Sequence, residues 1–137
     1  MSEITPLPDE IATAVQGNVQ LVRDELLKQA GVAQDDWPSA VMYLSGFLDR
    51  QREHADASNA SRLAQTIGCY LGEAIVRHYG GRWMLNEANG VGIDIDGLHA
   101  FPLNKAAKHL QNGSEDNINS FFSVIPKLLE QRKERKQ

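Results

Sequence analysis

The feature that most constrains this chain is a change of period at Gly80-Gly81. Before it, apolar residues recur every three or four positions, the spacing of one helix face. After it, Val91, Ile93 and Ile95 alternate with Gly92, Asp94 and Asp96, the period of a strand with one face buried. Past Phe101-Pro102 the helical spacing returns. A chain that changes period once and changes back segregates its helices from an antiparallel sheet. The expected fold is therefore α+β: N-terminal helices, a three-stranded antiparallel meander and C-terminal helices, all in one domain spanning residues 1–137.

Turn residues divide the sheet. Arg82 to Asn86 predicts one strand, Asn89-Gly90 a tight turn and Val91 to Ile95 the second strand. Asp96-Gly97 marks another turn, and Leu98 to Phe101 a short third strand. On the alternation, Trp83, Leu85, Val91, Ile93 and Ile95 face the core, while Arg82, Met84, Asn86, Asp94 and Asp96 face solvent. That outward face, together with Glu87, mixes charges with a methionine and is the candidate partner-binding patch.

The helices carry their own boundary marks. Pro8, Asp9 and Glu10 suit the start of a first helix and Gly31 its C-terminal cap, with Ile11, Val15, Val19, Val22 and Leu26 as its apolar stripe. Asp35-Asp36-Trp37-Pro38 opens a second helix, lined by Val41, Leu44 and Leu48, and Asp49 to Asp56 is polar enough to be exposed. Ser58 and Ser61 are candidate caps for a third, running to about Tyr79 with Leu63, Ile67, Leu71, Ala74, Ile75 and His78 on its face. Gly68 and Gly72 make a smooth strip on it where another backbone can approach. Leu103 to Gln111 predicts a short helix. A last one starts within Ser114 to Asn117, and Pro126 should bend or divide it.

Composition narrows the function class. The chain has 137 residues, 42% hydrophobic and 23% charged, enough for one core without staples. No apolar run reaches the length of a membrane span, and Met1 to Glu10 lacks the basic start and apolar core of a signal peptide. Cys69 is the only cysteine and sits among apolar neighbours, as a buried inert thiol would. A cytoplasmic location is expected, with no membrane partner. The first hundred residues hold 7 Lys and Arg against 14 Asp and Glu, and only the basic end brings the net charge back to −4, so nucleic acid is not the expected ligand. The basic run from Gln131 to Gln137 suits a solvated helix end.

Catalytic and metal chemistries fail on spacing. His54, His78, His99 and His109 show no paired ligand spacing, and there is no second cysteine for a zinc site. Asp94-Ile95-Asp96-Gly97 looks like part of a calcium loop, but Lys105 stands where the closing glutamate belongs. Gly80-Gly81 ends a helix rather than opening one, and no helix follows Gly90-Val91-Gly92, so neither cradles phosphate. Glu73, directly after Gly72, is the carboxylate to watch: if buried it needs a partner such as a backbone amide, Arg77 one turn on or the Trp83 indole. Glu73 and His78 are expected to serve structure before catalysis. No catalytic residue, metal or cofactor is assigned.

Leu71-Gly72-Glu73, Gly81 with Trp83, Phe101-Pro102, and Leu110 to Gly113 together resemble a pattern in small bacterial proteins of uncharacterised domain families. Cytosolic immunity proteins that neutralise toxins delivered between bacteria are among them. The resemblance covers about Leu63 to Phe122, and its motif residues serve the fold. It implies a non-catalytic protein that binds another protein, such as a basic toxin domain. The alternatives are a secretion adaptor or chaperone, which would show an exposed apolar groove, or an enzyme with an unrecognised site.

Overall fold

The computed structural model describes residues 4–136, the side chain of Lys136 excepted; residues 1–3 and the end of the basic run lie outside the described part. The fold is α+β, with five helices and one four-stranded antiparallel sheet. The chain begins with β1 (Ile4–Thr5) and helix α1 (Asp9–Val22), which continues through a π-helical turn (Arg23–Leu27) into a last turn (Lys28–Ala30). Then come α2 (Trp37–Gln51), α3 (Ala57–Tyr79), β2 (Arg82–Asn86), β3 (Gly90–Ile95) and β4 (Leu98–Ala100). Helix α4 (Pro102–Asn112), a 3₁₀ turn (Gly113–Asp116) and α5 (Ile118–Lys136) complete it.

The three-stranded meander is present in the order β2-β3-β4, with Trp83 opposite Ile93 and Ile95 opposite Leu98. A fourth strand corrects the expectation. Ile4 and Thr5 pair antiparallel with Asn86 and Leu85, closing the β2 edge. Two residues are too few to show alternation, so the strand leaves no signal in the sequence. At the Asp96-Gly97 turn both residues have positive φ, 51° and 87°, as a two-residue hairpin turn of this twist requires.

Helix α3 is the axis of the molecule. Every residue from Ile67 to Ile75 is buried, so the helix is covered on all sides rather than on one face. Its two glycines make that possible. A Cβ on Gly68 would lie 2.6 Å from the Leu103 Cα, and one on Gly72 would lie 2.2 Å from the Trp83 ring and 3.0 Å from Pro102. The expected close approach is therefore real, with α4 crossing at Gly68 and the Trp83 indole packed against Gly72. Gly72, Trp83 and Pro102 thus share one contact, and Phe101 lies against Gly92.

Capping differs in detail from expectation. Asp36 caps α2 as expected, accepting from the Ser39 N–H. Helix α3 is capped by Asp56, which accepts from the Asn59 N–H at 2.8 Å, and not by Ser58 or Ser61. Asn117 caps α5 by accepting from the Asn119 and Ser120 N–H groups. Gly31, left-handed at φ 72°, closes the α1 run; its N–H and that of Val32 satisfy the Lys28 and Leu27 carbonyls. Pro126 lies inside α5 without dividing it. Its missing N–H frees the carbonyl four residues back, that of Phe122, and the Tyr79 hydroxyl donates to that oxygen at 2.8 Å.

Candidate functional site

The outward face of the sheet is only partly an open surface. Met84 and Asn86 are 1% and 4% exposed, which corrects the expectation that both face solvent. Gly92, the register partner of Met84, lies against the Phe101 ring, which covers part of this face, while β1 pairs alongside β2 in the plane of the sheet. Asn86 points its side-chain oxygen into the β2–β3 turn, accepting from the Ala88 and Asn89 N–H groups at 2.9 Å each. Alternation identifies the two faces of a strand but not what a neighbouring loop lays over either of them.

Arg82 and Asp94 are tied to each other, Arg82 exposed and Asp94 half-buried. Arg82 Nε donates to Asp94 Oδ2 at 3.1 Å, the Gly97 N–H donates to Asp94 Oδ1 at 3.1 Å, and His99 Nε2 lies 3.5 Å from that oxygen. Asp94 thus staples the β3–β4 turn. Glu87 and Asp96 are exposed and have no ion-pair partner among the described residues.

Glu73 is 5% exposed and fully engaged. The Trp83 indole N–H donates to Oε1 at 3.1 Å and Gln16 Nε2 to the same oxygen at 3.4 Å, while Arg77 Nε donates to Oε2 at 3.2 Å. Burial alone would raise its pKa, but these hydrogen bonds and the Arg77 charge outweigh it and hold the carboxyl below its ordinary value. A carboxylate with three donors joins α1, α3 and β2 and so ties the three elements together.

Of the histidines, His78 is exposed at the end of α3 against Tyr79 and Phe122, and not part of the core face. His109 is the buried one, at 0% exposure. The Ile118 N–H donates to its Nδ1 at 3.2 Å, which leaves the ring proton on Nε2, donated to Asp49 at 2.7 Å. This bridge ties α2 to α4 and to the start of α5. Both ring nitrogens are in use, so the dyad has a structural role. Arg52 adds a second tie by donating to the Leu110 and Gln111 carbonyls at the end of α4. With Asp56 capping α3, three members of the polar Asp49–Asp56 stretch therefore hold the fold. Cys69 is buried beside Asn18, and burial pushes its thiol pKa up, as expected for an inert thiol.

The described residues also form an apolar groove that the sequence did not reveal. Helices α1 and α3 run antiparallel, since Gln16 meets Glu73 while Asn18 meets Thr66 and Cys69. Beyond those polar contacts the seam opens into a groove of about 400 Å³. Leu21, Leu26, Phe47 and Leu63 line it, with Glu25, His54 and Arg62 among the polar residues at its margin. Leu21 is 49% exposed there. The π-turn shapes one wall. Regular α-helical spacing from Val22 buries Leu26, the residue the stripe predicted; the wider turn buries Leu27 instead and leaves Leu26 in the groove.

No protein-family model, curated protein or solved structure matches this chain. The groove and the exposed acids are consequently read on their own chemistry. No helix among the described residues is long and apolar enough to cross a membrane.

Proposed function

We propose that the protein works by binding another protein stoichiometrically, without turnover. The observation that carries this is the open groove between α1, α2 and α3, where Leu21 stands half exposed beside Leu26, Phe47 and Leu63. Exposed apolar concavities rimmed by polar residues are the usual form of a partner site. An immunity protein neutralising a toxin is the first reading, supported by the resemblance and by exposed acids suited to a basic toxin domain, among them Glu53, Asp56, Glu87 and Asp96. A secretion adaptor or chaperone is the second, and the open apolar groove favours it. Arg82 and Asp94 belong to the proposed patch as an ion pair; Met84 and Asn86 support it from beneath.

The test is recovery of a partner from native lysate, followed by titration of the purified pair to a 1:1 end point. A toxin partner should lose its toxic activity in the complex, whereas an adaptor's client should keep its activity and be delivered. Reversing Glu53, Glu87 and Asp96 together, and leaving the α3 cap Asp56 in place, should slow association with a basic partner by about tenfold at low salt and flatten its salt dependence. A tightly held cofactor with turnover and no protein partner would overturn the proposal.

A further inference from the structure

We infer that the α1–α2–α3 groove takes an amphipathic helix of the partner, one that places leucine-like side chains in the groove and carries opposite charges on its two flanks. This rests on the protein-binding reading and goes further by naming the kind of segment bound.

Three observations carry it. First, the groove is bounded by helices and the short α2–α3 connection, so it offers no sheet edge. An extended peptide laid into apolar surface there would bury N–H and C=O groups without partners, whereas a helix satisfies its own. Second, the walls are oppositely charged. Glu25 stands on α1 and Arg62 on α3, both exposed, and neither has an ion-pair partner among the described residues. A segment lying between them is best matched by a cation on one flank and an anion on the other. Third, the groove wall is the place where α1 departs from regular geometry. The π-turn gives up regular spacing and presents Leu26 to the groove while Leu27 fills the core.

Three synthetic helical peptides of about 15 residues test this, each with leucines at i, i+4 and i+7. One has lysines on one flank and glutamates on the other, one lysines on both, and one glutamates on both. Fluorescence anisotropy should show saturable 1:1 binding, with the mixed-flank peptide about tenfold tighter than either of the others, a difference of roughly 1.4 kcal/mol. Glu25→Lys should shift the preference to the all-glutamate peptide and Arg62→Glu to the all-lysine one. Leu21→Asp should weaken all three by about tenfold or more, and because Leu21, Glu25 and Arg62 are exposed these variants should fold, as circular dichroism would verify. Absence of saturable binding, or a preference indifferent to Glu25 and Arg62, overturns the inference. So does a homodimer that Leu21→Asp dissolves, since the groove would then hold a second copy. Photo-cross-linkers at Leu21 and at Glu87 separate the two levels. A partner captured from Glu87 alone overturns the groove assignment and keeps protein binding, whereas a chain with no 1:1 complex through either position loses both.

Discussion

Gly72→Ala adds one methyl group to the middle of α3, and its cost can be worked from the geometry. On propensity alone it should stabilise the helix by about 1 kcal/mol. The new Cβ would lie 2.2 Å from Trp83 Cη2 and 2.7 Å from Cζ2, where carbon atoms rest at about 3.5–4.0 Å. The indole must therefore retreat by more than an ångström, with Pro102 close on the other side. Overpacking of this kind costs roughly 1–3 kcal/mol. The same movement breaks the 3.1 Å bond from the indole N–H to the Glu73 carboxylate, a charge-assisted bond worth about 1.5–3 kcal/mol. The net expectation is a loss of about 2–4 kcal/mol, read as a fall of roughly 1–2 M in the urea midpoint. Gly17→Ala is the control, because nothing lies within 4 Å of its Cβ position in α1, and it should stabilise by up to about 1 kcal/mol. Removing the ring in a Trp83→Leu background should abolish most of the Gly72→Ala cost, which a double-mutant cycle reads directly. An unchanged midpoint for Gly72→Ala, or a cost unaffected by Trp83→Leu, refutes the packing account.

Two further outcomes are expected. Glu73→Gln should cost about 1.5–3 kcal/mol at neutral pH. Because the folded carboxyl titrates below its ordinary value, the stability it contributes is full above the unfolded pKa and is lost as pH falls through the folded one, so wild type and variant should converge in acid; urea melts from pH 7 to pH 3 that stay parallel would refute this. Tyr79→Phe should cost about 1 kcal/mol by leaving the Phe122 carbonyl without its donor, and Pro126→Ala should reduce that cost by restoring a backbone donor to the same oxygen, whereas equal costs in both backgrounds would show that Pro126 and Tyr79 are not coupled.

What the sequence determined by itself is everything that local period and local chemistry encode. The switch at Gly80-Gly81 placed the meander, Asp36 and Gly31 marked helix ends, and Gly68 and Gly72 marked a close approach. Glu73 announced a need for partners because a carboxylate amid apolar neighbours cannot be buried alone; of the candidates named for it Arg77 and Trp83 are there, while Gln16 from α1 takes the place of a backbone amide. The tertiary structure decided whatever depends on what arrives from a distance. Alternation separates the two faces of β2 but cannot say that Phe101 comes back over the second one or that β1 lies alongside, and Met84 and Asn86 turned out buried. An amphipathic count gave α3 one face, while contacts from the surrounding helices and the sheet cover it all round. The groove eluded the sequence for the same reason. Its wall depends on a π-turn that substitutes Leu27 for Leu26 in the core, and a regular period cannot foresee the turn that breaks it.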